Sequence, residues 1–455
     1  MKNIEMLLER QRSFFEKGST RNIDFRIRQL LHLKKSIKNN EPQILEALKK
    51  DLNKSPFESY ATEVGMVLEE INYLLKNIRR LAKTEKVRTP ITQFPSVSRI
   101  YKEPYGSVLI MAPWNYPIQL SLSPLAGAIA AGNCVILKPS EYAPHSMAVL
   151  IKVVEEVFPE KYAAVIEGDM EVNKQLLQCK FDYIFFTGSV AVGKIIMAEA
   201  AKNLTPVTLE LGGKSPCIVD ETADIALAAK RIAWGKFLNA GQTCVAPDYI
   251  LVHEKVKEVL ILELKKQISK LYGNSPIQNE EFPKIINERH FNRLLSLIEK
   301  EKALFGGKYN RELLKIEPTV LELDNAESII MKDEIFGPLL PVMTFRSMKE
   351  VKNFVNNRPK PLALYLFTTS KVNEGYIMKN TSFGGGCVND TIVHLATTSM
   401  GFGGVGESGM GSYHGNLSFS TFSHSKSVLK KSNILDIPLR YPPYKNKINL
   451  LRKIL

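Results

Sequence analysis

The chain has 455 residues, 44% hydrophobic and 24% charged, which supports two or three packed domains and excludes a disordered or fibrous protein. Its five cysteines, Cys134, Cys179, Cys217, Cys244 and Cys387, are odd in number and scattered, which excludes a disulfide framework and predicts a reducing, cytoplasmic setting. A formal charge of +14 suggests nucleic acid, but the lysines alternate with acids in stretches such as LKKSIKNNEPQILEALKKDLNK and form no aromatic-studded face, so no nucleic-acid partner is expected.

The opening stretch MKNIEMLLERQRSFF carries charges inside its apolar pattern and has no signal-peptide core; residues 1–80 repeat apolar positions at helical spacing. KVRTPITQFPSVSRIYKEP (86–104) fits neither a helix nor a sheet core and predicts an extended arm. From Tyr105 to Leu137 there is no Asp, Glu, Lys, Arg or His, a run long enough to cross a bilayer. Pro113, Pro117, Pro124, Asn115, Gln119 and Asn133 break it up. It reads instead as a buried strand (SVLIMA), a loop (PWNYP), a small-residue helix (LSPLAGAIAAG) and another buried strand (CVILKPS), the pattern of a parallel sheet covered on both faces.

AAVIEG and YIFFTG continue the alternation of strand and helix. VTLELGG, SPCIVD, a helix from about Asp224, YILVHEKV, a charged helix at 255–272 and strands near 339–345 and 362–367 supply a second unit. The expected fold is α/β, with two doubly wound units facing a cleft.

FDYIFFTGSVAVGKII nearly spells a phosphate-binding P-loop, with Gly188, Gly193 and Lys194 after a buried strand. Ile195 stands where the Mg²⁺-ligating Ser or Thr belongs, and Val190 stands at the second glycine of a dinucleotide fingerprint. What remains is a glycine turn into a helix, whose N-terminal N–H groups favour an anion. A strand-to-helix turn that merely needs glycine reads the same way.

Several side chains stand in chemically suggestive surroundings. Cys244, in NAGQTCVAP, follows the helical stretch DIALAAKRIAWGKF; its neighbours describe an exposed turn with free N–H groups, where an ionised thiol would be a strong nucleophile. A small core cysteine is the alternative. Glu210 ends an apolar strand in TLELGGK, where burial would raise its pKa toward that of a general base, unless it faces solvent. Asn115 sits between prolines and aromatics in PWNYP, as an oxyanion donor or a simple loop hydrogen bond. Lys138 and Glu141 in LKPSE end a buried strand, placed for ribose hydroxyls or for a surface ion pair. Glu334 and Phe336 in KDEIFGP offer a second ribose contact and ring support, or a turn with a core phenylalanine. The cysteines and histidines form no metal-ligating group, so no metal is expected.

PWNYP, LKPSE, FFTGS, LELGGK, GQTC, EIFGP and GFGGVGESG stand in the order and spacing of aldehyde dehydrogenases, across nearly the whole chain. The short N-terminus, SYHGNLSFSTFSHSK and RYPPY resemble the class 3 branch that oxidises fatty and aromatic aldehydes. The resemblance implies Cys244 as nucleophile, Glu210 as general base and Asn115 as side-chain oxyanion donor. It implies NAD binding, with NADP possible, by Lys138, Glu141, Gly188, Ser189 and Glu334, with Phe336 beside the nicotinamide. It also implies an aldehyde dehydrogenase-like fold: an NAD(P)-binding domain (1–80 and 104–211), a catalytic domain (212–413), and a bridging or oligomerisation arm (81–103 with a strand near 414–430). The arm predicts a homodimer. The basic tail, 431–455, with Leu and Ile interleaved, predicts peripheral membrane contact or docking on the protein's own surface.

Overall fold

The computed structural model describes residues 3–445 and 447–454; Met1, Lys2, Asn446 and Leu455, which fall in the expected N-terminal and tail segments, lie outside the described residues. Four long helices come first: Ile4–Glu16, Ile23–Asn39, Glu41–Leu52 and Gly65–Leu81. Asn3 and Asn22 cap the first two by accepting from Met6 N and Phe25 N. Leu30, Leu33 and Ile37, then Leu68, Ile71, Leu74 and Ile78, recur at three- and four-residue steps and are all buried.

The strands in chain order begin with β1 (Glu85–Val87), β2 (Ser96–Pro104), β3 (Ser107–Met111), β4 (Cys134–Lys138), β5 (Ala163–Val165), β6 (Tyr183–Gly188) and β7 (Val207–Leu211). Then come β8 (Pro216–Val219), β9 (Tyr249–His253), β10 (Lys302–Phe305), β11 (Tyr309–Asn310), β12 (Lys315–Ile316), β13 (Thr319–Glu322), β14 (Leu339–Phe345), β15 (Ala363–Phe367) and β16 (Gly385–Val388). The short β17 (Gly409–Met410) and the long β18 (Ser423–Lys431) close the series.

One sheet has the order β17-β7-β6-β3-β4-β5, with β3 to β7 parallel and β17 antiparallel to β7. Successive residues of β3 feed opposite faces: Val108 and Ile110 join the large core, while Leu109 and Met111 join a smaller cluster with Ile136, Ile184 and Phe186. Burial on both faces is why these strands carry uninterrupted apolar runs. Strand order reverses at β3, because the chain adds β4 and β5 on one side and β6 and β7 on the other. The loops after β3 and β6 therefore part at a switch point, where such sheets bind ligands.

The second sheet has the order β10-β13-β14-β9-β8-β15-β16, parallel except for β10. A third, antiparallel sheet, β1-β2-β18, carries β18 at its edge. The strand expected near 414–430 occupies only Ser423–Lys431, and Asn416–Thr421 is a helix. Phe419 and Phe422, three residues apart, are buried, and Phe422 with Ser418 presses on Gly127 of the helix Gln119–Ala131; that contact needs a helical turn.

Candidate active site

β3 delivers the chain into Pro113–Pro117, a loop leading to the helix Gln119–Ala131. β6 ends at Gly188; Ser189 then caps the helix Val190–Ala201 by accepting from Val192 N. β7 carries Glu210 at its C-terminal end, and β17 covers its outer edge, with Gly409 opposite Glu210. A side chain at Gly409 would strike the Leu209 carbonyl, which accounts for the glycine there. Cys244 follows the helix Ile225–Phe237 and a tight turn in which Asn239 and Ala240 both hold left-handed backbone. Gln242, Thr243 and Val245 are buried and Cys244 is half-buried, so the exposed turn expected around the cysteine is instead a packed loop. Tyr116 Oη and Thr243 Oγ1, 2.6 Å apart, and Gln242 Nε2 bonding to Lys284 O hold it inside.

These segments enclose a cavity of about 390 Å³, and Cys244, Glu210, Asn115, Gly188, Ser189, Glu334 and Phe336 all line it. Lys138 and Glu141 do not. They lie at the end of β4, where Lys138 Nζ is 3.8 Å from Glu141 Oε2 and donates to Pro139 O at 2.8 Å. Both therefore occupy the same C-terminal sheet edge as the Pro113–Pro117 loop, whose neighbour Ala112 donates to Lys138 O.

Four buried polar atoms of residues lining this cavity lack partners among the described residues: both carboxyl oxygens of Glu210, Thr187 Oγ1 and His290 Nδ1. Burial pushes the Glu210 carboxyl well above the usual carboxylate range. Glu334 is raised to about 8, by burial first and then by Asp248, against the Gly213 N–H, Lys214 and Lys236. The Cys244 thiol is pushed up to about 12, by burial first and then by Glu334 and Glu210; the N–H groups of Cys244 and Val245 act in the opposite direction. The acids and apolar walls around the sulfur oppose its ionisation, while the N–H groups of Cys244 and Val245 favour it.

Asn115 is 3% exposed and donates from Nδ2 to Gln242 O at 3.0 Å, leaving one amide hydrogen uncommitted. The loop bearing Glu334 and Phe336 is braced by Asp248, which accepts from Ile335 N at 2.9 Å and pairs with Lys214. Phe336 holds left-handed backbone, φ 49°, and meets Trp114 edge-on with ring centroids 5.3 Å apart. Gly212 passes so close to Glu334 that any side chain there would collide with Oε2.

Sequence reasoning missed Trp114, Thr187, His290 and Arg293, which also line the cavity. His290 and Arg293 lie three residues apart on the helix Glu288–Ile298, on one face. Arg293 Nη2 donates to Ile335 O at 2.6 Å, and burial with Arg293 and Arg289 lowers His290 to about 4, so it stands neutral.

A model of the aldehyde dehydrogenase family matches residues 2–428. The chain is 49% identical over 454 residues to 4,4'-diaponeurosporen-aldehyde dehydrogenase of Staphylococcus aureus, covering 99% of each. It is 45% identical to the dimeric NADP-preferring aldehyde dehydrogenase of Mus musculus, across 97% of this chain and 98% of that one. The solved substrate-bound state of Staphylococcus aureus AldH superimposes with a TM-score of 0.98 at 48% identity, over 100% of this chain and 99% of that one.

Proposed function

Because the chain belongs to the aldehyde dehydrogenase family and is an NAD(P)-dependent aldehyde dehydrogenase, we propose that Cys244, Glu210 and Asn115 carry its chemistry on medium-chain, long-chain or aromatic aldehydes. The observation that supports this most is the cavity itself: a sulfur, a carboxyl with both oxygens unpaired and an amide with a spare hydrogen converge on one space. The Cys244 thiol gives up its proton to solvent water as the sulfur adds to the aldehyde carbonyl, and the oxyanion so formed meets the Asn115 amide and the Cys244 N–H. A bound nicotinamide ring would supply the acceptor for the hydride lost when the Cys244 adduct becomes a thioester. Glu210 then takes a proton from water as that water attacks the Cys244 thioester, releasing a carboxylic acid.

The residues present fit a dinucleotide. The unpartnered Thr187 hydroxyl and the free N–H groups at the start of Val190–Ala201 suit a ribose and a phosphate. Gly188, Ser189 and Glu334 would hold the nicotinamide half beside Phe336, while Lys138 and Glu141 at the next strand end would hold the distal ribose. The Glu141 carboxylate disfavours a 2′-phosphate there, so NAD is the expected cofactor, with NADP accepted more weakly.

In this reading residues 1–80 and 104–211 form the cofactor-binding domain and 212–413 the catalytic domain, with 81–103 and 414–430 as the bridging arm. The outer edge of β18 is exposed and unpaired along the described residues, which supports a homodimer formed through the arm. Among the described residues no helix is long and apolar enough to cross a membrane. All five cysteines are free, which supports the reading of a reducing, cytoplasmic setting. The tail exposes Ile434 at 96%, with Leu435, Ile448 and Leu451, among Lys430, Lys431, Arg440 and Lys447. That mixture supports peripheral contact with an anionic bilayer, where a long-chain aldehyde would partition.

Reduced-nicotinamide formation across a series of aldehydes of rising chain length, with each cofactor, tests the reading. Activity growing with chain length and lost in Cys244→Ala is expected; strict preference for a short polar aldehyde would remove the substrate assignment. Light scattering at twice 51.2 kDa is expected for the dimer. Loss of sedimentation with phosphatidylglycerol vesicles on truncation after Lys431 is expected for the tail.

A further inference from the structure

Lys54 stands in the polar run DLNKSP, yet its side chain is 0% exposed. The helix Glu41–Leu52 stops at Asn53, whose left-handed backbone (φ 56°) turns the chain so that Lys54 points inward. Its counter-ion is Glu63, also 0% exposed, with Nζ 2.6 Å from Oε1. A buried ammonium and carboxylate are retained only where their remaining hydrogen-bonding capacity is used. Here it is used on the loop that carries Asn115.

Lys54 Nζ donates to the Asn115 carbonyl at 2.9 Å and lies over the Tyr116 ring, 3.9 Å from its centroid. The other oxygen of Glu63 accepts from Ile118 N at 2.8 Å and Gln119 N at 3.3 Å, at the point where the loop becomes a helix. The second hydrogen bond to the Asn115 carbonyl comes from Asn239 Nδ2 at 2.9 Å, so both acceptor sites on that oxygen are filled. Asn239 in turn donates its N–H to Glu58 of the same short segment, at 2.9 Å. Residues 54–63 thus hold both the loop bearing the amide and the turn that precedes Cys244, joining pieces of chain 61 and 181 residues away.

We propose that Lys54, with Glu63 as its counter-ion, is a positioning residue for the reaction at Cys244: it fixes the Asn115 peptide and so aims the Asn115 amide. Lys54 does not line the cavity and acts through Asn115. The proposal rests on the reading of Asn115 as oxyanion donor. Without the ammonium, the loop keeps Asn239 as its only hold on that carbonyl, and an amide displaced by about 1 Å costs on the order of 10²-fold in rate.

Lys54→Met alone leaves Glu63 buried and unpaired, so the informative protein is K54M/E63Q, which removes both members of the buried pair together. Steady-state kinetics of K54M/E63Q, N115A and the triple variant, with cofactor affinity by fluorescence quenching, form the test. The expected result is a kcat about 10²-fold lower in K54M/E63Q, unchanged cofactor affinity, and a triple variant no slower than N115A alone. Two results would overturn it: K54M/E63Q within twofold of the unaltered protein while N115A is impaired, or N115A costing its full factor again in the K54M/E63Q background. The latter marks a general structural role. N115A at full rate would remove the Asn115 reading as well, which separates the two failures.

Discussion

The side-chain amide of Asn115 donates to the backbone carbonyl of Gln242 across 3.0 Å, tying the loop after β3 of one sheet to the Cys244 loop that precedes β9 of the other. The two residues are 127 apart in the chain, and the bond is buried. It fixes the amide relative to Cys244 before any aldehyde arrives. Such pre-arrangement is what makes an oxyanion donor effective, because no reorganisation accompanies the reaction.

Asn115→Ala is therefore expected to lower kcat by about 10²–10³-fold, roughly 3–4 kcal/mol, the usual worth of one such donor. The aldehyde KM should change far less, since the charge on oxygen develops only as the sulfur adds. Steady-state kinetics with saturating cofactor check this. Equal losses in kcat and 1/KM would mean that Asn115 binds the ground-state carbonyl instead.

The high thiol pKa predicts slow alkylation. In the cofactor-free protein, iodoacetamide should modify Cys244 slowly at neutral pH and faster at each step upward, because the thiol is pushed up to about 12 and the thiolate is the reacting form. Glu334→Gln should speed alkylation only above about pH 8, where Glu334 becomes charged and begins to oppose the thiolate. Mass spectrometry of the modified peptide against time measures both. Rapid, pH-independent labelling at Cys244 would refute the electrostatic account.

The apolar runs of β3, β4 and β6 made the first sheet legible, since a strand covered on both faces has no polar position to interrupt it. That Cys244, Glu210 and Asn115 would meet at one cavity was suggested by their flanks of glycine, proline or apolar residues, which leave few other uses for a polar side chain. Arg293 and His290 were not, since on a helix with Glu288, Arg289 and Asn292 they read as any solvated face. Lys54 and Glu63 were hidden for the same reason: only contacts 55 to 61 residues away turn two ordinary charges into a buried pair. The turn at Cys244 was misread as exposed because small residues mark both open loops and tightly packed ones, and Tyr116 and Lys284, which pack it, are remote in sequence.

Glu334 predicts a pH dependence of stability. Its carboxyl is raised from 4.5 to about 8 in the folded protein, so between those values the folded state keeps a proton that the unfolded state releases. The unfolded state binds fewer protons there, and stability falls as pH rises from about 4.5 to about 8, then levels off. Chemical denaturation of cofactor-free protein at several pH values should show a shallower fall in E334Q than in the unaltered chain. An identical slope in both would assign the dependence to other groups.

As the proposed base, Glu210 offers a way to separate the two halves of the reaction. Its buried oxygens have no partner in the protein, so nothing but solvent or substrate takes a hydrogen bond from the acid or donates one to the carboxylate. A base held this far above the usual range gains activity as pH rises, and kcat should climb with pH through the Glu210 ionisation. Glu210→Gln is close in shape but accepts no proton. It should release one equivalent of reduced nicotinamide per site and then stall, with the acyl group retained on Cys244 and visible as a mass increase on the intact protein. On the proposed roles, the acylation step needs the sulfur and the oxyanion donors, whereas hydrolysis needs the base. Continued turnover in E210Q at more than a few per cent of the normal rate would place the water-activating role elsewhere. Glu334 would then be the candidate base, because it lines the same cavity and burial raises its carboxyl to about 8.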